Sequence, residues 1–436
     1  MEFTALPNLL RLEPEAWSLL LGFFTFREEP RDRVAHLCRM EERRVKALLP
    51  ALVRCGLVRS RRVRGRSLLS LKPIAGWPIR RPRGTAAARV ELEIAQLSRV
   101  LALREHAALS VIGTRESRDL SLLVPEVARF YTTFFPNIDL RVGTSCNLNC
   151  VYCLLGHEDR YLRPAAEILD DLAWGRAQNL EKVAFTGGEP TLHPDLPRLV
   201  AAARGLGYRQ VILVTNGVTL GYPGRLARLR EAGVTALGIS YDTPDRATAE
   251  AMWRSPVHDM VVRAFEAAAA FPDMPVGSIA VVTARNFRQL PDLARFYAEL
   301  KRGMKNMFVP NLDCVMPEEN AWLNRAEVVP RLSDVVPHVR EALETAHRRG
   351  VPLTFRGFPP CLLPGLEKYD VDRYMTIFRL VRTPEGPVFD RMSIDLWRVK
   401  GPRCPACRWF RSCGGVYRSY ANLHGLHELV PVKGAP

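Results

Sequence analysis

Cys146-Asn147-Leu148-Asn149-Cys150-Val151-Tyr152-Cys153 sets three thiols at intervals of four and three, just after a short apolar stretch at residues 140–142. Thiolates at such spacing suit zinc or an iron–sulfur cluster. A structural zinc site closes its shell with a fourth protein ligand close by, and this segment offers none. A cluster held by three cysteines, with one iron left open, accounts for the pattern better. Three scattered core cysteines are a poor alternative, because Asn147 and Asn149 make the segment a bad buried helix or strand.

Downstream of Asp139, short apolar segments alternate with helical patterns, as parallel βα units do. Residues 140–142, 183–185, 211–214, 236–239, 276–282 and 307–309 read as six strands of an incomplete barrel. In barrels the C-terminal strand ends hold the chemistry. The cysteines follow strand one, Thr186-Gly187-Gly188-Glu189-Pro190 closes strand two, and Thr215-Asn216-Gly217 follows strand three. Ser240-Tyr241-Asp242, Thr283 to Asn286, and Cys314 come after strands four, five and six.

The Cys-x3-Cys-x2-Cys segment with an aromatic residue before its last cysteine, followed one unit later by Gly187-Gly188-Glu189-Pro190, resembles the radical S-adenosylmethionine (SAM) superfamily. The likeness covers residues 136–310 most closely. It implies an α/β fold built on a partial (β/α)6 TIM-like barrel, with a [4Fe-4S] cluster on Cys146, Cys150 and Cys153. In that family the open iron binds the amino and carboxylate groups of SAM. Reductive cleavage then gives methionine and a 5'-deoxyadenosyl radical that takes hydrogen from a substrate.

The same resemblance assigns SAM-binding roles to Tyr152, Gly187, Gly188, Glu189, Pro190, Thr215, Asn216, Ser240 and Asn286. Glycines let a backbone approach a ligand closely, and Glu189 suits an ammonium group. Thr215 and Asn216 also read as an ordinary turn, and Asn286 as a helix cap. Asp242 is a candidate catalytic residue that accepts from sugar hydroxyls or places the substrate; its other reading is an N-cap beside Thr243-Pro244. Cys314 is the second catalytic candidate, as a thiol that donates hydrogen, with a cluster ligand or a buried small residue as alternatives.

The tail carries Cys404-Pro405-Ala406-Cys407 and Cys413-Gly414-Gly415, with Cys361 upstream. Four cysteines with a CxxC kernel suit zinc or a second cluster. The segment resembles the SPASM and twitch extensions of radical SAM maturases, which implies an auxiliary [4Fe-4S] cluster on Cys361, Cys404, Cys407 and Cys413. It departs from the full SPASM pattern at Tyr417, where a further cysteine belongs.

Residues 1–75 read as a winged-helix-like module: three helical candidates at 17–24, 34–40 and 41–55, then a hairpin around the basic run Arg59, Arg61, Arg62, Arg64 and Arg66. Peptide capture by strand addition, plain packing and nucleic-acid contact all remain open for it. Cys38 and Cys55 fit core positions. Residues 76–135 read as a helical linker, 136–330 as the barrel, and 331–436 as the auxiliary-cluster domain.

The 436 residues suffice for two or three domains, and no apolar run approaches 18 residues, so no membrane span is expected. Residues 1–10 do not read as an export signal. Seven of the ten cysteines fall into the two groupings, which fits a reducing cytoplasm better than a disulfide framework. A net charge of +16 favours anionic partners. The expected function is radical SAM maturation of a ribosomally made precursor peptide whose leader the first module holds, with flavodoxin or ferredoxin as electron donor. The alternatives are a small metabolite such as a sugar or cofactor precursor, RNA, or a DNA-binding iron–sulfur redox sensor.

Overall fold

A computed structural model describes residues 29–30, 34, 41–54, 58–63, 66–71, 109–114, 123–134, 138–155, 160–177, 179–373, 377–383, 386–390, 398–410 and 413–434. In the N-terminal module, helix α1 (Glu42–Arg54) starts on an acidic residue, which suits the positive end of its dipole. It buries Val45, Leu48, Leu49 and Leu52 on one face, whereas Val53 is exposed. The expected basic hairpin is present as β2 (Val58–Val63) against β3 (Arg66–Leu71). A two-residue strand, β1 (Glu29–Pro30), adds to the far side of β3. The helix expected at 17–24 and all but residue 34 of the one expected at 34–40, with Cys38, Cys55 and Arg64, lie outside the described residues.

One large sheet organises the rest of the molecule. Its strands are β4 (Leu109–Thr114), β5 (Ile138–Arg141), β6 (Lys182–Thr186), β7 (Gln210–Thr215), β8 (Ala236–Ser240), β9 (Val276–Val282), β10 (Phe308–Cys314), β11 (Thr354–Arg356), β12 (Ile377–Thr383) and β13 (Gly386–Asp390). They lie in the order β11-β10-β9-β8-β7-β6-β5-β4-β12-β13. Strands β5 to β11 are parallel, and β4, β12 and β13 extend the β5 edge antiparallel. The fold is therefore the expected α/β partial barrel with one parallel strand more than the sequence announces.

Two expected boundaries move as a result. The 76–135 linker contributes β4 and helix α2 (Pro125–Phe134) to the barrel, and residues 331–356 complete a βα unit rather than open a new domain. A three-residue strand such as β11 carries too few residues to show a period, and Ser110 and Gly113 dilute the apolar character of β4. Strand β10 also runs to Cys314, so Pro310 to Asp313 are strand and not mouth.

Alternation divides the sheet into two faces. Val183, Phe185, Val211, Leu213, Leu237 and Ile239 point outward into a single core with the helices. That outer layer includes α3 (Ala165–Ala177), α4 (Leu196–Gly205), α5 (Arg225–Ala232), α6 (Arg246–Trp253), α7 (His258–Ala269) and α8 (Leu290–Gly303). After α9 (Glu319–Leu323) and α10 (Arg325–Val328), α11 (Leu332–Arg348) packs beside α8 and leads into β11. Each fully buried side chain of this layer contributes roughly 1.5–3 kcal/mol.

The inward positions change character along the strands. Low in the barrel they are Ala184, Ile212, Ala236, Gly238, Gly277 and Val309, and at the C-terminal ends they are Arg141, Thr186, Asp313 and Arg356. Helix α2 seals the apolar end from within. Phe130 stacks on Phe134 with ring centroids 4.8 Å apart, and a Cβ on Gly238 or Gly277 would approach these rings to 3.0–3.1 Å. No helix among the described residues is long and apolar enough to cross a membrane.

If α2 is an integral part of the barrel, Phe130→Ala should cost about 3 kcal/mol of stability in urea unfolding. A loss below about 1 kcal/mol would mean that the helix does not hold the lumen.

Candidate functional site

The cysteine loop is pinned before any ligand is considered. Leu148 and Val151 are buried in the outer core, which turns the residues between them toward the mouth of the barrel. Backbone N–H groups of Asn149 and Val151 donate to the carbonyls of Trp253 and Met252, at 3.2 and 2.9 Å. Asn320 and Asn324 donate to the carbonyls of Cys150 and Val151, and Arg160 to that of Cys146. The intervening asparagines and their neighbours therefore serve a fixed, non-repetitive turn.

Cys146 and Cys153 border a cavity of about 430 Å³, with the half-buried Cys150 beside them. Burial pushes the Cys146 thiol up and the Cys150 thiol well up, and the neighbouring sulfurs add to both. Three thiols that repel one another as anions need a cation to ionise together, while Leu148 N–H and Leu155 N–H already point at the sulfurs of Cys146 and Cys153. This donor set fits an iron–sulfur cluster. Among the described residues, no group of three or more His, Cys, Asp and Glu side chains stands ready for a single metal ion.

Gly187 and Gly188 earn their place by contact with this loop. A Cβ on Gly188 would lie 2.2 Å from the Ser145 carbonyl oxygen, and one on Gly187 would lie 2.4 Å from that of Gly143. Gly187 also sits at φ +126°, where side chains are strained. The two loops are joined by Gly188 N–H to the Gly143 carbonyl at 3.0 Å and Glu189 N–H to the Ser145 carbonyl at 2.8 Å.

Glu189 itself is buried, and its carboxylate accepts from Thr191 N–H, the Thr191 and Thr215 hydroxyls, and Asn216 N–H. It thus ties the β6 loop to the β7 loop, with Pro190 starting the short turn that follows. Asn216 donates to Asn147 Oδ1 at 2.8 Å and approaches the Cys146 sulfur at 3.7 Å, so it braces the cysteine loop. Ser240 is half-buried at the end of β8, on the lumen side that Gly238 sets.

The catalytic reading of Asp242 is corrected. Its carboxylate is fully buried and accepts from Tyr152 O–H, Trp253 Nε1–H at 2.6 Å and Val281 N–H at 2.8 Å. Nor is it the N-cap, which is Asp245. Asp242 anchors Tyr152 beside Cys153. Burial lifts its carboxyl to about 6, against the three hydrogen bonds that pull it down. Asn286 takes the N-cap position before Phe287–Gln289, as the cap reading expects, but its side chain is committed elsewhere: it accepts from Thr283 and donates to the carbonyls of Asp242 and Val281, which leaves no free amide for a ligand.

Cys314 ends β10 and lines the same 430 Å³ cavity, with Arg356 and Tyr417 beside it. Burial pushes its thiol to about 12, so it stays protonated at neutral pH. It is not among the residues around the tail cysteines. Those four, Cys361, Cys404, Cys407 and Cys413, line one small apolar cavity together with Trp409 and Phe410. Backbone N–H groups of Gly401, Val432 and Gly415 point at the sulfurs of Cys404, Cys407 and Cys413. This set also fits a cluster.

The sequence reading missed the cavity's polar wall. Arg141 and Arg160 face it, and Arg356 forms a two-point ion pair with Asp313. Tyr417, noted only as a departure from a cysteine pattern, contributes to the wall from β15 (Val416–Tyr417), which pairs with β14 (Arg398–Val399). Arg398 lies over its ring at 4.9 Å and binds Asp372 at 2.6 Å. Only the end positions of β5, β10 and β11 hinted at these roles.

Residues 140–297 match the radical SAM superfamily model, a segment that holds both the cysteine loop and the glycine turn. This segment is a radical SAM domain. Curated relatives include a probable GTP 3',8-cyclase of Methanopyrus kandleri, 37% identical over 177 residues, or 39% of this chain and 54% of that protein. The GTP 3',8-cyclase of Synechococcus elongatus is 37% identical over 170 residues, 37% of this chain and 51% of that protein. The chain thus spans about half the length of these relatives. Among solved structures, Streptococcus suis SuiB bound to precursor peptide SuiA matches at 20% identity and a TM-score of 0.40, covering 61% of this chain and 60% of that one.

Two outcomes follow from this geometry. Gly188→Ala should force the two loops apart and lower SAM affinity more than tenfold in equilibrium dialysis of the iron-loaded full chain. Asp242 titrates higher folded than unfolded, so its contribution to stability declines as pH rises from about 4 to about 6. In metal-free protein, the stability of wild type relative to Asp242→Asn should fall by up to about 3 kcal/mol across that interval.

Proposed function

We propose that this chain is a radical SAM enzyme whose substrate is a small anionic cofactor precursor of nucleotide character. The carrying observation is the 430 Å³ cavity, which the cysteine loop, the glycine turn, Arg141 and Arg160 share with Arg356, Cys314 and Tyr417. Its volume is that of a small-molecule site. The curated relatives named for GTP favour this reading over the expected precursor peptide. A DNA-binding redox sensor would have no need of the glycine turn stacked on the cysteine loop.

Cys146, Cys150 and Cys153 would hold a [4Fe-4S] cluster, and Cys361, Cys404, Cys407 and Cys413 an auxiliary one. When bound, the first supplies the electron that cleaves SAM into methionine and a 5'-deoxyadenosyl radical. The protein's own part is positioning. Gly187 and Gly188 leave room for the SAM ammonium at bare backbone. Thr215, Asn216, Pro190 and Glu189 keep that turn in register with the cysteines, and Ser240 offers a hydroxyl from the next strand. Tyr152, held by Asp242, walls the site, and Arg141 and Arg160, beside the glycine turn and the cysteine loop, favour an anionic group on the substrate.

Cys314 stands where a protonated thiol can return hydrogen to a substrate radical, the thiyl radical left behind being restored by one electron from the protein electron donor and one proton from solvent. If Cys361, Cys404, Cys407 and Cys413 all ligate, an auxiliary cluster there would serve electron transfer or stability rather than direct coordination of the substrate. An acidic electron donor such as flavodoxin or ferredoxin suits a chain of net charge +16.

Reconstituted anaerobically with dithionite and SAM, wild type should form 5'-deoxyadenosine, and GTP should stimulate it with a new nucleotide product. Alanine at Cys146, Cys150 or Cys153 should abolish that formation, and retention of it would refute the mechanism. Failure of GTP, with stimulation by a short peptide instead, would restore the peptide reading. Separately, Cys404→Ala with Cys407→Ala should lower bound iron from about eight to about four per chain.

A further inference from the structure

A barrel of parallel strands is normally filled by layers of bulky branched side chains. In this partial barrel the lumen is not filled in that way. Below the large cavity lies a second space of about 210 Å³, lined by Phe130, Phe134, Ala184, Ile212, Val214, Gly277, Ile279 and Val309, with Asp139, Thr186, Asp313 and Arg356 where it meets the first. Those last four residues line both spaces, so the lower one opens into the upper. The room exists because Ala184 and Gly277 occupy inward positions where larger side chains would fill the lumen, while α2 supplies an aromatic floor.

We infer that this lower chamber is a binding pocket for a planar, nitrogen-bearing bicyclic ring of the substrate, inserted ring-first from the upper cavity onto Phe130 and Phe134. An apolar cavity of about 150 Å³ admits benzene, so the larger space admits a bicycle. The lining is mostly apolar and partly aromatic, its polar members Tyr131, Ser278 and Asn311 being bonded to Thr354 or Tyr297, which favours stacking on a flat ring over packing of a flexible chain. The rim selects for an N–H edge. Asp313 is committed to Arg356 and Asn311, whereas Asp139 accepts from the Thr186 hydroxyl, a neutral partner that leaves the carboxylate further acceptor capacity.

The inference deepens the small-molecule reading above and rests on it only in seating SAM in the upper cavity. Ala184 and Gly277 set the width of the chamber, and Phe134 sets its depth.

The test uses indole as the probe on the full-length chain, loaded with iron and sulfide and saturated with SAM, by equilibrium dialysis. Wild type should take up one indole per chain and bind N-methylindole at least fivefold more weakly. Ala184→Leu, with bound iron and melting temperature as folding controls, should bind indole at least tenfold more weakly. Phe134→Ala should deepen the pocket and admit the tricyclic carbazole, which wild type refuses. Equal indole uptake by wild type and Ala184→Leu, or no uptake by wild type, overturns the pocket. These results are independent of GTP turnover: inactivity toward GTP sinks the cofactor-precursor reading and leaves a measured indole site standing.

Discussion

The close stacking of Gly187-Gly188 on the backbone of Gly143 to Ser145 is the contact from which the site is built. Two loops that leave neighbouring parallel strands would diverge if either bore side chains at the crossing. Without Cβ atoms they meet carbonyl to backbone, and two N–H groups lock them together. The cysteine loop is then fixed at one end by this crossing and at the other by Asn320, Asn324 and the carbonyls of Met252 and Trp253. Glu189 carries the constraint to a third strand through Thr215 and Asn216. Several residues that look like ligand contacts are thus the braces of a ligand-shaped space.

That distinction explains much of what was and was not legible in the sequence. All six expected strands are present, because each is an apolar run with a polar motif at its C-terminal end. The cysteine spacing and the glycine pair mark their own chemistry, since few structural needs produce either. Asp242 and Asn286 misled for a physical reason: a buried polar side chain that satisfies several backbone groups has the same composition and placement as one aimed at a ligand. Only the direction of the side chain separates them, and sequence does not carry direction.

The strands beyond the expected six were hidden by length or dilution. Strand β11 is three residues long, and β4 pairs antiparallel with β5 from a segment that resembled a linker. The interior was equally hidden. Nothing in a pattern of alternation distinguishes an inward Ala184 or Gly277 that leaves space from one that is covered, until α2 is placed inside the barrel.

The last parallel strand has a consequence for how the molecule ages. Thr354 to Arg356 form β11, and Arg356 faces the barrel cavity; five residues further, Cys361 faces the tail cavity. Gly357, between them, leaves no room for a Cβ beside Cys314, and its N–H donates to Asp372, which in turn holds Arg398 over the Tyr417 ring. One short span of chain therefore borders both chambers. Damage at the tail cysteines would therefore not stay local, because the chain that leaves Arg356 in the barrel wall reaches Cys361 in the tail cavity without an intervening element of its own.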